Sequence, residues 1–204
     1  IEIINMLIEL GEGKEELEVR LNEALSQVTM PPLNLLSDYF RCCFYAATKD
    51  WEAFNKNIDN AVENANALGF GQMNIMGPMM RGAYFEDIKD YPSAKEQFNL
   101  VLNMPFAMGG HETHLKAYIA LGRIHQILEE YEMSEEIFEK GFSVTDESAE
   151  LFYEYSILKE KQAKIEEARE LIIKAYNLYK DADIELELAQ KIFARYDQYQ
   201  NQSP

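Results

Sequence analysis

Residues 117–142 read AYIALGRIHQILEEYEMSEEIFEKGF, and the spacing of large and small residues within them decides the fold. Tyr118, Leu121 and His125 are bulky residues at helical spacing, Tyr131 and Phe138 follow on a second helix, and Gly122, Ser134 and Gly141 place small residues among them. Amphipathicity alone asks for apolar residues at a period of about 3.6; it does not ask for small ones. Small residues facing large ones are what two helices need where they cross closely. A shift of 34 residues brings Phe152, Tyr155, Ser156, Lys159, Ile165, Ala168, Ile172 and Ala175 into the equivalent places, with Lys159 a poor match for His125. Shifting back by 40 aligns Gly82, Phe85, Tyr91, Ala94, Phe98 and Val101, and a further 40 aligns Cys42, Tyr45, Trp51, Phe54, Ile58 and Ala61. Prolines and glycines fall mostly in short clusters and no Val/Ile/Thr-rich alternating segment stands out, so the fold class is all-α.

Large-x2-Leu-Gly-x2-aromatic followed by Tyr-x2-small-x3-Phe-x2-small resembles the tetratricopeptide repeat, most specifically in residues 117–142. The resemblance implies a right-handed superhelix of antiparallel helix pairs, one solenoid over residues 1–204. Its units are a partial one over 1–30, repeats over about 33–68, 75–104, 112–143 and 148–180, and a terminal helix over about 183–199. That last helix either caps the solenoid or serves as a homodimer contact. Pro31-Pro32 precede the first pair, Asp50 is the expected N-cap of its second helix and Gly69-Phe70-Gly71 its stop. Gly77-Pro78 is expected to start or kink the next helix. The chain opens on Ile1 rather than Met, which suggests a fragment of a longer protein.

With 204 residues, 47% hydrophobic and 12% aromatic, the chain can bury a substantial core, and its composition is far from that of a disordered acidic tail. A formal charge of -17 repels the phosphate backbone, so no nucleic-acid partner is expected; it favours a basic protein or peptide. No apolar run reaches the roughly 18–20 residues of a membrane span, and Ile1 to Leu10 lack the basic start of a secretory signal. Cys42 and Cys43 are adjacent and read as small core or groove residues in a reducing cytoplasm.

Local motifs supply no chemistry. His111 and His114 are three apart near a helix start, but no further ligand completes a zinc set, so no metal site is expected. Gly11-Glu12-Gly13 follows no strand and is read as a turn. Glu135-Glu136 and Glu166-Glu167 are read as solvated helix faces. No catalytic set, enzyme activity or cofactor is expected.

The resemblance does imply a binding face, because in this family the first helix of each pair lines the concave groove. The corresponding positions are Leu36, Tyr39, Phe40, Cys43 and Ala47 in the first pair and Met76, Met79, Met80, Ala83, Glu86 and Asp87 in the second. They continue as Lys116, Ile119, Arg123 and Gln126 in the third pair and Tyr153, Glu154, Ile157, Glu160 and Lys161 in the fourth. The first half is apolar and rich in Met; the second adds the Lys116/Arg123 pair. Cys43, Ala83 and Ile157 stand where chaperone-binding members carry Asn, which argues against a chaperone adaptor. The two 40-residue intervals imply longer helices or inserted loops, notably over residues 102–114, which read as a buried connector packing on the next helix or as an apolar loop beside the groove. The expected function is a protein- or peptide-binding scaffold whose partner is basic or carries an apolar anchor; the alternative is a ligand- or peptide-sensing domain of a bacterial transcription factor or signalling protein.

Overall fold

Ala, Leu, Glu, Lys, Gln and Met recur throughout the stretches between turns, and each loses little side-chain freedom on entering a helix. A computed structural model describes residues 13–27, 37–67, 73–181 and 187–201, and within these it is all-α, with no strand. The helices are α1 (Lys14–Ser26), α2 (Ser37–Ala47), α3 (Trp51–Ala67), α4 (Met73–Asp87) and α5 (Tyr91–Leu102). They continue as α6 (Phe106–Ile127), α7 (Tyr131–Phe142), α8 (Ala149–Lys161), α9 (Ile165–Tyr179) and α10 (Glu187–Asn201). Gly11-Glu12, Pro31-Pro32, Leu36, Gly69-Phe70-Gly71 and the start of the expected terminal helix lie outside the described residues.

Four turns, joining α2 to α3, α4 to α5, α6 to α7 and α8 to α9, share one geometry. Each holds one residue in the left-handed region: Lys49, Lys89, Glu129 and Ala163, with φ of 55°, 62°, 61° and 61°. Its N–H donates to the carbonyl three residues back, on Ala46, Glu86, Gln126 and Glu160. The following N–H donates to the carbonyl five back, on Tyr45, Phe85, His125 and Lys159, at 2.8–2.9 Å. This is the Schellman closure of a helix. The next helix starts at once, because the carbonyls of Asp50, Asp90, Glu130 and Lys164 accept from the N–H groups of Phe54, Ala94, Ser134 and Ala168. Asp50 and Asp90 add side-chain caps, accepting from the N–H groups of Ala53 at 3.2 Å and Ser93 at 3.3 Å.

None of the four left-handed residues is glycine, although that conformation costs an L-residue roughly 1–2 kcal/mol. Glycine would add about 0.5–1 kcal/mol of chain entropy to the unfolded state, so the balance favours it slightly. Ala163→Gly, which removes no polar contact, is therefore expected to stabilise the protein by about 0.5–1 kcal/mol. The check is a urea midpoint that rises at unchanged slope; a lower midpoint would show that the turn tolerates alanine without strain.

The small positions Cys42, Gly82, Gly122 and Ser156 are buried in every pair, as are Ile58, Phe98, Phe138 and Ile172 on the second helices, and Gly82 and Gly122 meet the rings of Phe98 and Phe138. A Cβ placed on Gly82 would lie 2.5 Å from the Phe98 ring, so only glycine fits that crossing.

The contacts divide the chain into two compact units, Ile1–Gly110 and His111–Pro204. The first contains a core of Cys42, Cys43, Phe54, Ile58, Ala61 and Met80, with Tyr39, Trp51 and Met76 packed on it. In the second, Ile119, Phe138, Leu151, Tyr155, Leu158 and Ile172 form the centre of a larger core, to which α10 contributes Ile192 and Tyr199. Tyr176 of α9 stacks on Tyr196 of α10 with centroids 4.0 Å apart, and Tyr199 Oη donates to Glu160 Oε1 at 2.6 Å. The terminal helix is thus docked on its own unit.

Two open local expectations are narrowed. Residues 106–109 are helical, the longer-helix alternative, and the break comes at Gly110, whose φ of 70° and ψ of 171° are open essentially to glycine alone. α4 begins at Met73 and runs through Pro78, which sits in its second turn, where the helix bond it forfeits is the one to the Asn74 carbonyl.

Candidate functional site

The residues expected to bind a partner come from α2 and α4 in the first unit and from α6 and α8 in the second. In the first unit the helical phase sorts them into two groups. Cys43 and Met80 point into the core, where Met80 is only 2% exposed. Tyr39 and Met76 lie over that core, half-buried. Phe40 is 46% exposed, its ring 5.9 Å from Tyr39 in an edge-on contact. Met79 is half-buried and Ala83 exposed, so the accessible apolar residues are Phe40, Tyr39, Met76, Met79 and Ala83.

Burial holds the neighbouring thiols in their protonated form. Burial pushes the Cys42 thiol up to about 12, reinforced by Cys43 and Asp38, and burial also raises Cys43. A thiol that stays protonated at neutral pH is a small core residue rather than a nucleophile.

In the second unit, Ile119 is core. Gln126 is buried because its side-chain amide donates to the Glu154 carbonyl at 2.9 Å, tying α6 to α8. Arg123 Nη1 lies 3.5 Å from Glu154 Oε1 on the same seam, with about a third of the Arg123 side chain still exposed. Lys116 pairs with Glu112 at 3.2 Å, one turn away on α6. Tyr153 and Ile157 are half-buried on α8. Burial raises the Tyr153 phenol, and Glu154 adds to the shift. The two cations expected to fix a carboxylate therefore sit beside their own glutamates, and a ligand carboxylate would have to compete with them.

A second polar cluster was not expected. Lys159 stands where the other repeats carry Tyr45, Phe85 and His125, yet it is buried. Its Nζ lies 2.5 Å from Glu135 Oε1 on α7 and 3.0 Å from Glu167 Oε2 on α9, and 4.7 Å from the Tyr155 ring centroid. Gln162 Nε2 donates to the other Glu135 oxygen at 2.8 Å. The hydrogen bond from Lys159 holds the Glu135 carboxyl down at about 2 despite the opposing effect of burial, and Gln162 and Lys164 assist. Lys159 is pushed the other way: burial opposes its charge, but hydrogen bonds with Glu135, Tyr155 and Glu167 outweigh that and raise it. Glu135 is therefore not the solvated residue expected from the sequence. The mismatch at Lys159 was the available signal, since a lone cation on an apolar stripe needs a carboxylate within reach.

His111 is exposed while His114 is buried, so the two imidazoles do not present a common face. Among the described residues no three His, Cys, Asp or Glu side chains are grouped so as to hold a metal, and no helix is long and apolar enough to cross a membrane. No protein-family model matches the chain, and none of the curated proteins matches it.

Proposed function

We propose that this chain is a non-catalytic, cytoplasmic protein- or peptide-binding scaffold of the tetratricopeptide type, in which the helix pairs stack into a right-handed superhelix and the first helices line a groove. The observation that carries the binding reading is Phe40, a 46% exposed aromatic on a first helix, beside Tyr39, with Met76 and Met79 half-buried on the next first helix. An aromatic anchor among pliable Met side chains is the composition of surfaces that seat an apolar side chain of a partner. The four equivalent turns support the repeat assignment, because amphipathic helices joined at random have no reason to repeat a left-handed residue at the same register.

The test is thermal unfolding against pooled short peptides, apolar, basic or carboxylate-ended. A peptide at about one hundred times its Kd stabilises the native state by roughly 2.7 kcal/mol. The double variant Phe40→Glu with Met79→Glu is expected to lose the shift while its own Tm stays within a few degrees of wild type, since both side chains already reach solvent. Met80 is left intact because its burial would confound the result. A retained shift would sink the face assignment.

A sensor role is favoured by one observation, the 40-residue spacing of the first three turns, longer than the 34 residues to the fourth. Longer first-to-first spacing gives the helices more freedom to change pitch around a ligand. A shift produced by one peptide alone, with a changed Stokes radius, would support that reading.

A further inference from the structure

Repeated units carry their own control, because a position occupied one way in three units and another way in the fourth marks what the fourth does beyond folding. The turn between α6 and α7 is such a case. Ile127, Leu128 and Met133 are 45%, 38% and 46% exposed. At the place of Ile127 the other pairs carry Ala47, Asp87 and Lys161; at that of Met133 they carry Ala53, Ser93 and Glu167. At the place of Leu128 they carry Thr48, Ile88 and Gln162, of which only Ile88 is a large apolar residue. The third turn alone fills all three places with large apolar side chains. A single exposed Leu or Ile is ordinary on a protein surface; three within seven residues of one tight turn are not.

The charged residues of the same turn are Glu129, Glu130 and Glu132, all exposed. Glu130 is engaged by His125 Nδ1 at 2.5 Å, within the turn. The nearest lysines on the following turn are already engaged: Lys161 Nζ donates to the Gln126 carbonyl at 3.4 Å and Lys164 pairs with Glu135 at 3.6 Å. Apolar side chains interleaved with glutamates would set like charges against one another in a second copy, and against anionic lipid.

We infer that the tip of the α6–α7 turn is a docking edge, separate from the face of the first helices, for a cationic amphipathic segment of another protein. Its apolar side would cover Ile127, Leu128 and Met133 and its lysines or arginines would pair with Glu129 and Glu132. Met133 suits such a contact because its flexible thioether adapts to the side chain that arrives.

The probe is a labelled helical peptide of about 18 residues with Leu on one face and Lys on the other, together with a Glu-for-Lys version of the same length. Amide shifts on titration with the Lys peptide are expected to centre on residues 127–133. The triple variant Ile127→Ser, Leu128→Ser, Met133→Ser is expected to weaken binding at least about tenfold, and the Phe40→Glu, Met79→Glu variant to leave it unchanged. Raised salt should weaken binding as well. No binding, equal binding of the Glu peptide, shifts centred elsewhere, or a triple variant that binds as wild type would each overturn the inference, and concentration-dependent dimerisation through these residues would assign the edge to a second copy instead. All three substituted side chains already face solvent, so an unchanged Tm in the triple variant separates lost docking from lost folding.

Discussion

Gly122→Ala is expected to destabilise the protein by about 2–3 kcal/mol, opposite in sign to the roughly 1 kcal/mol that helix propensity would grant the same change. The Cβ would overlap the Phe138 ring, with Cδ1 and Cζ each only 2.7 Å away. The ring has nowhere to retreat, since Phe138 is fully buried and its centroid is 5.5 Å from that of Tyr155. Nor can the helices part cheaply there, because Ser134 Oγ donates to the Gly122 carbonyl at 2.8 Å across the crossing. Urea unfolding measures the loss, and a second substitution identifies its cause. Phe138→Leu should cost less in the Gly122→Ala background than in wild type, since it relieves the overlap it would otherwise turn into a cavity. A stabilised Gly122→Ala protein would mean that propensity governs the position and that α6 and α7 do not cross as closely as described.

Lys159→Met should cost about 2–3 kcal/mol at neutral pH. Removing one partner of a fully buried ion pair costs more, but a quarter of the Glu135 side chain remains exposed and Gln162 and Lys164 stay beside it. The pH dependence separates loss of charge pairing from loss of packing. Glu135 is held at about 2 in the folded chain against an ordinary 4.5, so its contribution is complete above about pH 4.5 and is lost as pH falls from there towards 2. Lys159 is raised above its ordinary 10.5, so its share is complete below that value and is lost as pH climbs past it. In the variant the fall in stability between pH 5 and 2 should be shallower than in wild type. An equally steep fall would show that other carboxylates carry the acid sensitivity.

The helical class was legible because breakers are clustered and no alternating strand pattern occurs, and the pairing because small residues at 42, 82, 122 and 156 are a demand of close crossing. The left-handed residues were not, since Lys49, Lys89, Glu129 and Ala163 give none of the Gly or Asn signal by which such a position is usually read. The candidate binding residues were legible as belonging to first helices, but their phase was not. Met79 and Met80 are neighbours in sequence and about 100° apart around a helix, so one can lie half-buried at the surface while the other fills the core. Lys159 shows the remaining limit: sequence spacing marks a residue as out of place, while its partners Glu135 and Glu167 are brought to it from two other helices by packing alone.

The four turns divide the chain into stretches that can and cannot change length. From the small crossing residue to the left-handed residue is seven positions in every pair, and from there to the large residue of the second helix is nine. Between one pair and the next the interval is not constant, since Ala61 to Gly82 and Val101 to Gly122 each span 21 positions and Gly141 to Ser156 spans 15. The repeat length therefore varies only where a second helix hands over to the following first helix. Those handovers are where an epitope or a fluorophore can be spliced in at little cost, whereas one residue added inside a pair would rotate every crossing side chain away from its mate.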